Sequence, residues 1–328
     1  MRNIAYSGFL DTLTQIQMLR PRNKIPLCRK NDLIVVIQVK NRGKLKLRDR
    51  GSKNKNKFKG KVVLVTGASS GIGRQVSLDF SDHGAQSIIL VARSQSKLED
   101  LEKIIRRKFA TEVSVYPCDI SKKTEVAKMG REILERYGYI DILVNNAGFG
   151  IYGKVQRQSI EDIESIIFTN YLGMVYCTKV FLDSMTSRKS GHIVNVASVA
   201  GSFGVAGLSA YCASKYAVLG FSESLSQELH GTGIGITVVS PIGVRTNFFN
   251  NDSFSGKTPN YAGFILEPKT VSNAILAAAN SSRLEIIVPF YIRVAVWFKH
   301  TLPFIVNPII GSHFRRELKR SRNGETMS

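Results

Sequence analysis

Seven short apolar runs, rich in β-branched residues, recur along this chain: KVVLVTG (61 to 67), SIILVAR (87 to 93), EVSVYPCD (112 to 119), DILVNNAG (141 to 148), HIVNVAS (192 to 198), GITVVSP (235 to 241) and EIIVP (285 to 289). Amphipathic stretches long enough for helices lie between them, such as 94 to 109, 121 to 137, 159 to 186 and 209 to 230. A strand that is apolar at successive positions is buried on both faces, and strands alternating with helices build a parallel sheet covered on both sides. The expected fold is therefore an α/β, doubly wound parallel sheet in a single domain, with ligands received at the carboxyl ends of the strands.

Charge divides the chain into three parts. The whole carries +21 over 328 residues, but residues 1 to 60 hold 16 Lys and Arg against 3 acids, residues 283 to 328 hold 8 against 3, and the middle holds 22 against 19. The nearly neutral middle speaks against nucleic acid as the partner of the folded part, since the basic excess sits at the two ends. We divide the chain into a basic, disordered N-terminal arm (1–58), a folded α/β domain (59–285) and an apolar, basic C-terminal extension (286–328). The arm has the low acid content of an organelle transit peptide and equally that of a disordered tail. Cys28, Cys118, Cys177 and Cys212 show no paired spacing and the five histidines are scattered, so neither a disulfide framework nor a metal site is indicated. A reducing, cytoplasmic setting is the expectation.

The first apolar run leads directly into TGASSGIG (66 to 73), with glycines at Gly67, Gly71 and Gly73 and a helix pattern after it. Such a loop admits a tight turn and lets backbone amides and a helix N-terminus meet a pyrophosphate. Further on, AYCASKYAVLGF (210 to 221) puts Tyr211 four residues before Lys215, on one helical face. With these come NNAG (145 to 148), Asn170 in FTNYLG, and Ser198 in NVASVAG, thirteen residues before Tyr211.

This ordered set resembles the short-chain dehydrogenase/reductase family in its ordinary single-domain branch, over roughly residues 60 to 250 with weaker likeness to about 290. The resemblance implies a Rossmann-type fold, a catalytic set of Asn170, Ser198, Tyr211 and Lys215, and a nicotinamide cofactor held by Gly67, Ser69, Ser70, Gly71, Ile72, Gly73, Asn146, Ala147 and Gly148. It also implies cofactor contacts from Tyr211, Lys215, Asp119 and Thr246, and a homodimer or homotetramer built on the two long helices. Hydride reaching a carbonyl carbon leaves charge on the oxygen, which calls for a proton donor and hydrogen bonds aimed at it. Tyr211 and Ser198 fill those roles. A nearby cation such as Lys215 favours the phenolate, and the resemblance implies that Lys215 also holds the nicotinamide ribose and that Asn170 holds a water leading to solvent.

At the end of the second run stand Val91, Ala92, Arg93 and Ser94, with no acid to accept ribose hydroxyls and with Arg93 able to meet a 2′-phosphate, so NADP is the expected cofactor. One departure from the family pattern is Ile242 after Pro241, where a glycine is usual, although the spacing to Thr246 is kept. Phe149, Ile151, Tyr152, Phe203, Val205, Phe248 and Phe249 mark an apolar substrate pocket, of which Phe149, Phe203 and Val205 join Ser198 and Tyr211 as substrate contacts. The reading is an NADP(H)-dependent oxidoreductase acting on an apolar carbonyl or secondary alcohol. The alternative is a nucleotide-sensing scaffold without catalysis that binds anionic surfaces or nucleic acid through its basic ends. The C-terminal stretch from Ile286 to Arg320 is apolar but broken by Pro289, Arg293, Lys299, Pro303 and Pro308, too often for a membrane span. It is expected either to pack over the substrate mouth and a neighbouring subunit or to lie in a membrane interface with Trp297 at headgroup depth and the basic residues facing anionic lipid.

Overall fold

The computed structural model describes residues 56–250, 252–254 and 265–320, the side chains of 317–320 apart. The expected arm lies outside the described residues except for Asn56, Lys57 and Phe58, and Phe58 is already core, packed edge-on against Phe80 at 4.6 Å between ring centroids.

Strands β1 (Val62–Thr66), β2 (Ser87–Ala92), β3 (Glu112–Pro117), β4 (Ile142–Asn145), β5 (Gly191–Val196), β6 (Ile234–Pro241) and β7 (Glu285–Val288) form one sheet in the order β3-β2-β1-β4-β5-β6-β7, with every pairing parallel. The helices are α1 (Gly71–Asp82), α2 (Gln95–Lys108), α3 (Lys123–Tyr137), α4 (Ile160–Ile167), α5 (Gly173–Arg188), α6 (Ser209–Glu228), α7 (Pro268–Ala278), α8 (Ile292–Thr301) and α9 (Pro303–Arg320). This is the doubly wound, Rossmann-type sheet that the run pattern predicts.

Successive strand residues point to opposite faces, so a run of five or six apolar residues feeds two cores. Val63, Val65, Ile88 and Leu90 pack on one side with Val76 and Phe80 of α1, Leu98 and Leu101 of α2, and Val271 and Ile275 of α7. Val62, Leu64, Ile89 and Val91 pack on the other with Val126 and Ile133 of α3, Phe181 and Met185 of α5, and Leu225 of α6. Strand order reverses between β1 and β4, and a crevice opens at their carboxyl ends at such a point. The TGASSGIG loop leaves β1 there and NNAG leaves β4.

The amphipathic stretch 159–186 is one continuous helical rod with an interruption. Ser159 caps it, its hydroxyl accepting from Asp162 N at 3.0 Å, and a π-helical turn, Phe168–Leu172, separates α4 from α5. A wide turn of this kind turns one residue out of the regular i, i+4 register, and Asn170 sits inside it.

Candidate active site

Thr66, the last residue of β1, ties the two loops of the crevice together. Its hydroxyl accepts from Asn146 N at 3.0 Å and Ala147 N at 3.1 Å, and its carbonyl accepts from Asn146 Nδ2 at 3.0 Å. Beneath, Asn145 Nδ2 donates to Thr178 Oγ1 and Asn195 Oδ1, bracing β4 against α5 and β5. A Cβ at Gly73 would stand 2.2 Å from Gly67 O, so only glycine lets the first turn of α1 fold this tightly on the loop. Ser70, Gly71 and Ile72 at the start of α1 thereby line the crevice, and a helix N-terminus is a general anion-binding feature.

One cavity of about 880 Å³ runs from this loop to the far side of the crevice. Its wall holds Gly67, Ser69, Ser70, Gly71 and Ile72 at the loop, Arg93, Lys97 and Asp119 at the ends of β2 and β3, and Asn146, Ala147, Gly148 and Phe149 after β4. Ser198, Phe203, Val205, Tyr211, Lys215 and Thr246 complete it. Of the sequence-predicted set, Gly73 and Asn170 stand behind this wall, both buried. Arg93 is exposed at the cavity edge and forms no ion pair among the described residues. Lys97, which sequence reasoning missed, stands with it one turn into α2. Asp119 Oδ1 accepts from Ser121 N at 3.1 Å and Ser121 Oγ at 2.8 Å, so the residue shapes its own turn as well as lining the cavity.

The Tyr-Lys pair lies on the buried face of α6. Burial pushes the Tyr211 hydroxyl up to about 12, with a hydrogen bond from Ser198 pulling the other way, and burial pushes Lys215 down to about 8. The lowering of the phenol expected from the Lys215 ammonium is thus not seen in this shift, which burial dominates, although Lys215 Nζ stands 5.7 Å from the Tyr211 ring centroid. Lys215 Nζ donates to Val196 O at 2.8 Å, which fixes the side chain under the end of β5. Ser198 Oγ accepts from Ala200 N at 3.1 Å, and its single proton has two acceptors in reach, Pro241 O at 3.3 Å and the Tyr211 phenol oxygen.

Asn170 closes the inner end. Its Oδ1 accepts from Phe149 N at 3.0 Å and its Nδ2 donates to Phe149 O at 2.9 Å and Ser214 Oγ at 3.0 Å. A Cβ on Gly148 would stand 3.0 Å from Asn170 Oδ1 and 3.6 Å from Lys215 Nζ, so the loop after β4, the π turn and α6 converge on one point. Ile242 does not derail the loop after β6, since its amide extends the ladder to Val288 O at 3.0 Å and Thr246 still reaches the wall.

These features match known proteins. The family model for short chain dehydrogenases matches residues 61–254. The chain belongs to the short-chain dehydrogenase family. Mouse (Mus musculus) epidermal retinol dehydrogenase 2 is 32% identical, the match covering 77% of this chain and 82% of the relative. A short-chain dehydrogenase from Sphingobium yanoikuyae, solved with NADPH, is 28% identical with a TM-score of 0.66, covering 75% of this chain and 95% of that one. A short-chain dehydrogenase/reductase from Burkholderia phymatum, solved with NAD, is 26% identical with a TM-score of 0.68, covering 75% and 94%. This short-chain dehydrogenase is accordingly an oxidoreductase with a dinucleotide cleft.

Its substrate side differs in part from the sequence expectation. Phe248 and Phe249 line the cavity with Phe149, Phe203 and Val205. Ile151 and Tyr152 do not. The Tyr152 ring stacks on Phe254 at 5.7 Å and packs with Leu208, buttressing the wall from outside. The C-terminal stretch packs over the cavity, as one of its two expected uses had it, through Ile292 and Ala295 of α8 and Ile310 and Phe314 of α9, residues that the sequence had not singled out. Their signal in sequence was only apolar content without a clear period, in a segment beyond the family core.

Proposed function

We propose that the protein is an NADP(H)-dependent oxidoreductase that interconverts a carbonyl and a secondary alcohol on an apolar, lipid-like or steroid-like substrate. The observation that carries this is the placement of Ser198, Tyr211 and Lys215 in the wall of one cavity, between the glycine loop and a lining of Phe149, Phe203, Val205, Ile310 and Phe314. A volume of about 880 Å³ falls within the range of roughly 300–1,000 Å³ typical of small-molecule sites, at its upper end.

The glycine loop and α1 would hold the pyrophosphate, Lys215 the nicotinamide ribose, Thr246 the carboxamide end, and Arg93 with Lys97 the 2′-phosphate. Bound NADPH supplies the hydride. Tyr211, protonated well past neutrality, donates its proton to the carbonyl oxygen, and Ser198 shifts its hydroxyl from Pro241 O to the same oxygen. Lys215 keeps its charge below about pH 8 and stabilises the phenolate that remains, while Asn170 holds the water through which the proton is restored. Exposed Ile160 and Phe168 on the α4 rod and Tyr216 on α6 support a homodimer or homotetramer through these helices. We place the protein in the cytoplasm, in peripheral contact with a membrane through residues 286–328.

A panel of soluble and apolar ketones tested for NADPH oxidation checks this reading. Turnover that favours the apolar members is expected. NADPH binding without turnover of any ketone or alcohol would instead fit the scaffold alternative.

A further inference from the structure

Helices α8 and α9 have two apolar faces. The inner face supplies Ile292, Ala295, Ile310 and Phe314 to the cavity. The outer face leaves Phe304 71% exposed, Ile309 64%, Trp297 59% and Val294 58%, Phe290 in the turn before α8 is 80% exposed, and α8 buries no residue at all. Exposed apolar side chains clustered in one short segment, rather than scattered singly, mark a surface that something covers.

Charge identifies the cover. From Ile286 to Arg316 the chain has no Asp or Glu, yet it has Arg293, Lys299, Arg315 and Arg316. None of these four cations forms an ion pair with a described residue, although Lys299 Nζ donates to Tyr216 OH at 3.1 Å and so ties α8 to α6. An apolar face rimmed by unpaired cations and free of acids is complementary to an anionic bilayer surface. A span is not indicated: the ten residues of α8 reach about 15 Å, half of a roughly 30 Å hydrocarbon core, and the 18 residues of α9 include Arg315, Arg316, Glu317, Lys319 and Arg320. Among the described residues the one helix long and apolar enough to cross is Ile160–Arg188, which carries Asn170 and packs Cys177, Phe181 and Met185 into the core.

We propose that the outer face of α8 and α9, with Phe290, Trp297, Phe304 and Ile309, lies in the interface of an anionic bilayer, and that apolar substrate passes from the lipid between these helices into the cavity that their inner face lines. The entry route rests on the oxidoreductase reading, whereas the docking surface does not. Docking places the helices that wall the cavity at the depth where such a substrate dissolves.

Trp297 is the only tryptophan in the chain, so its emission reports this surface alone. With full-length protein, vesicles of phosphatidylcholine and phosphatidylserine should shift that emission to the blue, and brominated lipid should quench it, while pure phosphatidylcholine does far less. The triple variant Phe290→Ser, Phe304→Ser, Ile309→Ser should lose at least about tenfold in vesicle partition. It should keep turnover of a soluble ketone, which also verifies its fold, and lose turnover of a vesicle-borne ketone in proportion. An unshifted Trp297 spectrum would overturn the docking, and so would vesicle binding retained by the triple variant. Loss of a vesicle-free dimer in that variant would assign the face to a second copy and overturn it too. Docking with vesicle-borne turnover unchanged in the variant would overturn the entry route. Absence of soluble-ketone turnover in the wild type strikes the functional reading alone, because vesicle binding is measured without turnover.

Discussion

The cavity has two walls made in different ways. The wall on the sheet side hangs from the carboxyl ends of buried strands: Thr66, closing β1, bonds Asn146 and Ala147, and Asn145, closing β4, bonds Thr178 and Asn195, which locks the loops that line the crevice. The opposite wall consists of α8 and α9, which attach after β7, bury little of themselves and lend single side chains such as Phe314 to the interior. The first wall is fixed by the same contacts that fold the protein, so chemistry that needs fixed distances belongs there. The second is an addition to the fold and can differ without disturbing it, which suits substrate choice.

Substitutions on either side should separate the two walls. Ser198→Ala, on the sheet side, removes one hydrogen bond to the developing oxyanion and should lower kcat about 100-fold with NADPH affinity unchanged. A rate within threefold of wild type would move Ser198 out of the chemistry. Arg93→Asp should cut the NADPH-to-NADH ratio of kcat/KM by about tenfold or more, since a charge-assisted contact becomes a repulsion. An unchanged ratio refutes the cofactor assignment. Phe314→Ala, on the helical side, should raise KM for an apolar ketone about fivefold and leave the NADPH dissociation constant where it was, because apolar contact with substrate is lost at the wall away from the glycine loop. A matching change in both constants would show that the walls are not independent.

The smallest expected effect concerns the sheet alone. Burial on β5 pushes His192 down to about 4 from its ordinary 6.5. Between those values the unfolded chain takes up a proton that the native state refuses, so stability should fall as pH drops from 6.5 toward 4. Thermal unfolding followed over that range should show a shallower slope for His192→Gln than for wild type. Equal slopes would assign the acid sensitivity to other groups.

The same division decided what could be read from the sequence. Strands buried on both faces announce themselves as unbroken apolar runs, and the glycine loop, NNAG, Ser198, Tyr211 and Lys215 sit at run ends or on the next helix, so their convergence followed once the runs were placed. The π turn around Asn170 was invisible, because FTNYLG has the composition of ordinary helix and only tertiary packing against Phe149 and Ser214 widens it. Ile151 and Tyr152 were misplaced through adjacency to NNAG, whereas the backbone after Gly150 turns Tyr152 toward Phe254. The inner residues of α8 and α9 escaped notice because both faces of those helices are apolar, and periodicity singles out a face only when the other is polar. Pro303 starts α9 and Pro308 lies within it, where the sequence alone read interruptions.

The central claim, that Tyr211 is the proton donor of a reductase, is tested most directly by Tyr211→Phe. The single measurement is the NADPH oxidation rate with a saturating apolar ketone, made on variant whose NADPH binding has been titrated. The account predicts a fall in kcat of about 100-fold or more with cofactor affinity preserved, since the ring stays and only its acidic proton is lost. A variant that binds NADPH normally and keeps more than about a tenth of the wild-type rate would contradict it.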